Sequence, residues 1–253
     1  MQLVALDPKD FGPTRDYLHN VAKVLGKFQQ SAAPAEPHDW HYGLTPVEVG
    51  LVTRELKFGN EMVQVVLDMA AGIVRIAGTQ WSLEEFDARE ILNNLKVWQQ
   101  SRGYAGNIAT PDFGPAGQFN LAQSQALHAT FWQLTQYAET LRAKLDTGLS
   151  SPILVYPHHF DLSLVWFPWD DEQQLGFGFS TGDETIAEPY LYITAYPEPA
   201  TFTELELPNG AFWQQTGFSG AILPYAELRH QAQPERLLKI YAEQTMLKAK
   251  ELF

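Results

Sequence analysis

The residues of this chain best suited to metal chemistry stand together at His158-His159-Phe160-Asp161. In an extended strand, side chains two apart share a face, so His159 and Asp161 would point to one side and His158 to the other. An imidazole and a carboxylate on one face could share an ion. His41 is the candidate third ligand, ahead of His38 and Asp39. Three ligands with an open position suit metal-assisted hydrolysis. The competing account is a pair of hydrogen-bonded side chains, because a His-x-Asp spacing is short and common.

A second set of candidates lies on the strands expected at Phe160–Phe167, Leu175–Ser180 and Tyr190–Tyr196. Each has an apolar face: Leu162, Leu164 and Trp166; Leu175, Phe177 and Phe179; Leu191, Ile193 and Ala195. The opposite faces carry His159, Asp161 and Ser163, then Gly176, Gly178 and Ser180, then Tyr190, Tyr192, Thr194 and Tyr196. Tyrosine offers a stacking surface and a hydroxyl, and glycine lets a ligand approach the backbone. Such a face suits a small polar ligand, although antiparallel sheets are commonly polar on one side. Tyr196-Pro197-Glu198-Pro199 leaves the tyrosine strand between two prolines, which restrict their own φ and bias the preceding residue to extended geometry. Glu198 is thereby a candidate acid or base at the rim, against the alternative of an exposed turn residue.

A third set lies near the N-terminus. Arg15 and His19 are four residues apart, and Ala22 and Gly26 continue that helix edge with almost no side chain. Such an edge admits a second backbone or a ligand. Arg15 could hold an anion or pair with a carboxylate. His19, whose ordinary pKa lies near neutrality, is a candidate general base.

These residues need elements to hold them. Apolar spacing predicts a helix from Pro13 to about Gln30, on Leu18, Val21, Ala22, Leu25 and Phe28. Strands are expected from Trp40 to Ala77, with turns at Phe58-Gly59-Asn60-Glu61 and Ala71-Gly72, Val63, Val65 and Leu67 inward, and Met62, Gln64 and Asp68 outward. Pro46 predicts an edge or bulged strand. Ser82-Leu83-Glu84-Glu85 has the capping-box pattern, which places a second helix from there to Gly103 with Phe86, Ile91, Leu95 and Trp98 inward. Gly103–Asn120 is expected to be mainly loop, with room for a short strand at Asn107–Ala109. A third helix carries Leu127, Phe131, Leu134, Ala138, Leu141 and Leu145, and stops at Gly148. After the later strands, the first of them at Ile153–Tyr156, Pro234 starts a last helix with Leu237, Leu238, Tyr241, Thr245 and Leu252 inward.

The order helix, strands, helix, loop, helix, strands, helix argues an α+β fold with largely antiparallel sheets and helices on one side. It is compatible with two duplicated helix–strands–helix halves, 1–110 and 120–253, since Trp40-His41-Tyr42-Gly43-Leu44 faintly echoes His158-His159-Phe160-Asp161-Leu162.

Composition narrows the function. The 253 residues include 17 Lys and Arg against 30 Asp and Glu, a net charge of −13, and no cysteine. So acidic a chain disfavours nucleic-acid partners, and thiolate chemistry and disulfides are excluded. No apolar run approaches the roughly 20 residues of a bilayer span, and no signal peptide is evident, so a cytoplasmic protein without a membrane partner is expected. Phosphate-loop, dinucleotide, nucleophile-elbow and His-Glu-x-x-His patterns are missing, and no cofactor is expected.

Thr14-Arg15-Asp16-x-Leu18-His19, Gly26-Lys27 and Trp40-His41, followed by Ser151-Pro152, Phe160-Asp161-Leu162, Ala195-Tyr196-Pro197-Glu198-Pro199 and Ile222-Leu223-Pro224-Tyr225, occur in the order seen in a bacterial family of unknown function, DUF5996. The chain resembles that family over nearly its whole length, which implies one continuous unit over 1–253. It departs from the pattern at Phe28-Gln29, where the family often has a basic residue, and in a shorter Gly103–Asn120 connection. The resemblance implies no activity. It ranks Arg15, Asp16, His19, Lys27, Trp40, His41, Asp161, Tyr196 and Glu198 above other polar residues.

The expectation is recognition, with or without turnover, of a small polar molecule. Arg15, Trp40, His41, Asp161, Tyr190, Tyr192 and Tyr196 would bind it, and His19, His159 and Glu198 would move protons. The alternatives are a metal-dependent hydrolase using His159, Asp161 and His41, and a protein-interaction module that self-associates, for example as a homodimer.

Overall fold

The computed structural model describes residues 3–104, 106–145, 149–170 and 172–253. The fold is α+β with antiparallel sheets. The chain divides into two units. The N-terminal unit comprises Lys9–Trp132 and Leu154–Phe160; the C-terminal unit comprises Met1–Pro8, Gln133–Ile153 and Asp161–Phe253.

In the N-terminal unit, helix α1 runs from Pro8 to Gln30, five residues earlier than the sequence suggests, with Pro13 inside it. Pro13 lies within the first turns, where its missing N–H does least harm. Leu18, Val21, Ala22, Leu25 and Phe28 are all fully buried. A five-stranded antiparallel sheet follows, in the order β1 (Thr45–Val47), β2 (Gly50–Val52), β5 (Val65–Asp68), β6 (Ile73–Ile76), β7 (Thr79–Ser82). Pro46 does sit in an edge strand. The hairpin β3 (Leu56–Phe58) and β4 (Glu61–Val63) turns where expected, pairing Phe58 with Glu61. Asp68, expected outward, is buried: it pairs with Arg75 at 3.0 Å and accepts from the Ala71 N–H, holding the β5–β6 turn.

The second helix starts later than expected. Ser82 ends β7, paired with Ile73, and helix α2 runs Ala88–Ser101. Its capping box is Asp87 with Glu90: the Asp87 carboxylate accepts from the Arg89 and Glu90 N–H groups, and Glu90 accepts from the Asp87 N–H. Both tetrads have the right spacing, but Ser82 is committed to the sheet ladder. Phe28, Phe58, Trp98 and Tyr104 then form one aromatic cluster joining α1, the β3–β4 hairpin and α2.

No strand forms at Asn107–Ala109. Instead residues 112–118 lie as a strap along α1. Asn20 donates to Pro115 O and accepts from the Gly114 N–H, Thr14 donates to Gln118 O, and Lys23 donates to Asp112 O. Gly117 is required: a Cβ there would stand 2.2 Å from Pro13 O. Helix α3 (Leu121–Lys144) buries all six residues of its predicted stripe, and the boundary between the units falls within it. Its expected stop, Gly148, lies outside the described residues. Strand β8 (Leu154–Tyr156) bridges to Leu44 through Val155.

In the C-terminal unit, five antiparallel strands run in the order β12 (Phe212–Gln214), β13 (Gly220–Pro224), β11 (Tyr190–Tyr196), β10 (Gln174–Ser180), β9 (Asp161–Trp166). Strands β12 and β13 and helix α4 (Tyr225–Arg229) are additions to the sequence reading. Leu162, Leu164, Trp166, Leu175, Phe177, Phe179, Leu191 and Ile193 are buried as expected, but so are Ser163, Gly176, Gly178, Ser180 and Tyr190 on the opposite face, so β9 and β10 are covered on both sides. Tyr137 of α3 meets Phe177, and Tyr225 of α4 meets Phe179. The last helix is not continuous: α5 (Pro234–Lys239) passes through a π-helical turn (Ile240–Gln244) into α6 (Thr245–Lys250). The wider turn shifts the phase. Leu238, Tyr241 and Thr245 stay buried, whereas Leu237 and Leu252 are only half-buried and Met246 and Ala249 go inward. The Tyr241 hydroxyl donates to Ala221 O at 2.7 Å, tying the π turn to β13.

Candidate functional site

The candidate residues gather in two groups, one in each unit. In the N-terminal unit the group is built on α1 and on the turn 156–160 that precedes β9. Phe160 has φ of 56°, so the chain reverses there and His159 is not part of the strand. The shared face expected for His159 and Asp161 required an unbroken strand, which this left-handed residue ends.

His19 Nε2–H donates to Pro157 O at 2.9 Å, and its ring stacks on Phe160 at 5.4 Å with 7° between planes. Burial lowers its pKa to about 4, reinforced by the nearby charge of Lys23 and opposed by backbone hydrogen bonds. His158 stacks on Tyr42 at 5.8 Å and contacts His159 at 4.4 Å. His158 presents an open edge to solvent, yet crowding by these neighbours desolvates its ring and lowers its pKa to about 4, with the His159 charge adding to the effect. Both imidazoles are therefore neutral at physiological pH.

The small edge of α1 receives the Tyr42 and Pro157 side chains at Gly26. A Cβ on Gly26 would lie 2.4 Å from the Tyr42 ring and 2.9 Å from Pro157. Gly26 thus lets Tyr42 and the histidine turn rest on the helix. Lys27 lies 5.4 Å from the centre of the Tyr42 ring. Arg15 has a carboxylate partner, Asp16, at 2.7 Å. With Lys23, Arg15, His19 and Lys27 recur every four residues along α1. That recurrence was visible in the sequence.

His41 is buried and its Nδ1 accepts from the Glu36 N–H. Its backbone is gripped by Gln29, which is fully buried. Gln29 Nε2 donates to His41 O at 2.7 Å and to Gly43 O at 2.9 Å, while its Oε1 accepts from the Arg54 N–H at 2.6 Å. Trp40 is half-buried beside His38, their rings 5.6 Å apart. Asp39 and His38 both have positive φ, so the segment before His41 is a tight turn.

In the C-terminal unit, Asp161, Tyr190 and Tyr192 come together on the polar face of the sheet. The Tyr192 hydroxyl donates to Asp161, and the Tyr190 hydroxyl donates to Asp183 at 2.5 Å. Burial, with the Asp161 charge next, pushes the Tyr192 phenol well up; burial and the Asp183 bond raise Tyr190. The room above Gly178 is taken by Tyr192 itself: a Cβ there would lie 2.2 Å from its ring. Asp183 also accepts from the Thr185 and Ile186 N–H groups, an Asx turn that the sequence reading missed. Tyr196 is 68% exposed at the end of β11, and Glu198 is exposed beyond it.

Of the candidates, His19, His41 and His159 lie in the N-terminal unit with Arg15 and Trp40, and Asp161, Tyr190, Tyr192, Tyr196 and Glu198 in the C-terminal unit. Among the described residues no group of three or more His, Asp or Glu side chains converges to hold a metal, His159, Asp161 and His41 included. No described helix is long and apolar enough to cross a membrane.

His19 makes the fold pH-sensitive. Its folded pKa lies below the unfolded value of about 6.5, so its contribution is complete above that pH. As pH falls towards the folded value of about 4, the unfolded chain takes up a proton that the fold refuses. Stability should decline through this window by up to about 3 kcal/mol. His19→Gln retains a donor for Pro157 O and does not titrate. Denaturant melts at neutral and acid pH should therefore show a flatter profile for the variant.

Two antiparallel-sheet units, one with a basic, histidine-bearing helix face and one with a tyrosine–carboxylate sheet face, define an α+β protein without a standard catalytic motif. The chain belongs to a family of unknown function, DUF5996, whose model matches residues 3–93 and 169–252. No curated protein and no solved structure matches it. Arg15, His19, Lys23 and Lys27 lie in the first matched segment, and His158 and His159 lie between the two.

Proposed function

We propose that the protein recognises a small anionic molecule at the α1 face formed by His19, Lys23, Lys27 and the His158-His159 turn. The observation that supports this reading is a concentration of basic groups in a chain of net charge −13. Lys23 and Lys27 have hydrogen-bond partners but no carboxylate among the described residues, and Lys23 acts on both His19 and His158. Lysines without a carboxylate partner on an acidic protein attract anions from solution, with Asp39 near His158 as the opposing charge. The exposed His158 adds one directional donor, while the His19 N–H stays on Pro157 O, and an anion arriving beside the two rings would raise their pKa and draw in protons.

Titration with inorganic phosphate, followed by histidine ring resonances and calorimetry in two buffers of different ionisation heat, tests this reading. Binding should shift the His19 and His158 signals, take up protons and tighten as pH falls. Lys23→Gln should weaken it roughly tenfold, about 1.4 kcal/mol. Unmoved histidine signals across the titration would end the proposal.

A further inference from the structure

A separate hollow of about 220 Å³ opens in the C-terminal unit, between the segment after the 3₁₀ turn Phe202–Glu204 and the junction of the π turn with α6. Its walls carry Glu206 on one side and Gln244, Thr245 and Lys248 on the other, with Leu207 and Ile240 among its apolar surface. Glu206 and Lys248 border the same space, yet they form no ion pair with each other or with any other described side chain. A carboxylate and an ammonium closer than 4 Å would neutralise one another. Held apart across a small hollow, they leave room for a molecule that carries both charges.

Ile240, Gln244 and Lys248 are spaced four residues apart, so they lie on one side of the helix and face Glu206 and Leu207. The π turn at Ile240–Gln244 forms part of this wall, and such turns recur at functional sites. The volume is below the roughly 300–1,000 Å³ of sites for drug-sized ligands, so it suits a molecule of amino-acid size. Thr245 is buried at the floor and Gln244 stands at the edge, giving a hydroxyl and an amide to orient polar atoms.

We infer that this hollow binds a small zwitterion, its ammonium group on Glu206 and its carboxylate on Lys248. The site shares no residue with the anion face of the N-terminal unit and does not depend on it. The probes are glycine, β-alanine, γ-aminobutyrate and ε-aminohexanoate, whose charge separation increases in steps, with acetate and methylamine as single-charge controls. Backbone amide resonances are followed in the full-length protein. One member of the series should saturate, moving Leu207, Gln244 and Thr245, while the controls do not. Glu206→Gln and Lys248→Gln, both at solvent-exposed positions, should each weaken that probe at least tenfold with an unchanged near-ultraviolet dichroism spectrum. Acetate binding as tightly as the best zwitterion, affinity unchanged in either variant, or a series that moves none of these amides would each overturn the inference.

Discussion

Gly178→Ala should destabilise the C-terminal unit by about 3 kcal/mol or more, enough to move a denaturant midpoint strongly or to prevent folding. The added methyl would meet the Tyr192 ring at 2.2 Å and Leu162 O at 2.5 Å. Neither obstacle is the loose end of a flexible chain. Tyr192 is fixed by its bond to Asp161, and Leu162 O belongs to the neighbouring strand β9. Trimming the tyrosine in a Gly178→Ala/Tyr192→Ala double variant should not restore stability, because the backbone obstacle remains. Gly176→Ala is the control two residues away. There the methyl would meet chiefly the Thr194 hydroxyl at 2.6 Å, which can rotate aside, so a distinctly smaller loss is expected. Urea unfolding followed by tryptophan fluorescence ranks the variants, and equal losses at Gly176 and Gly178 would contradict the argument.

Gln29→Leu should be comparably damaging in the N-terminal unit, although the two side chains are similar in size. It removes three hydrogen bonds at once, leaving His41 O, Gly43 O and the Arg54 N–H without the partner they have. A buried polar group that loses its partner costs roughly 1–3 kcal/mol, so the three together cost on the order of 3–9 kcal/mol before water or relaxation offsets part of it. Gln29→Glu should not rescue. A carboxylate can accept from Arg54 but has no hydrogen to give to the two carbonyls. Amide hydrogen exchange across 40–56 is the sharpest readout, since local opening there should precede global unfolding. Protection equal to wild type in either variant would show that this glutamine is dispensable.

The sequence predicted the buried faces well where long periodic stretches carried the signal. All six predicted positions of the third helix's stripe and all five of α1's are inward, and β11 around Ile193 alternates roughly, whereas β10 around Phe177 is buried on both faces. Local ambiguity misled at Ser82 and Asp87, two residues that both open a capping box; only the pairing of Ser82 with Ile73 separates them. The π turn could not be seen, because a single inserted residue alters the phase without altering composition. The candidate site was legible in its residue types and not in its grouping. The left-handed Phe160 breaks the strand that would have carried His159 beside Asp161. Gly178 looked like open floor because alternation reveals direction but not what fills the space, and Tyr192 fills it. Gln29 was noticed only as a departure from a basic pattern, since the partners that give it meaning are backbone groups 12 to 25 residues away.

The strap over α1 has a consequence for how the protein is made. Thr14 bonds to Gln118 across 104 positions, and His19 bonds to Pro157 across 138. At translation speeds of about 5–20 residues per second, α1 leaves the ribosome roughly 5–20 s before the strap exists, and the histidine turn arrives later still. Throughout that interval the polar side chains of Thr14, Asn20 and Lys23 lack their strap partners. The first helix to be synthesised is thus among the last to have its contacts completed.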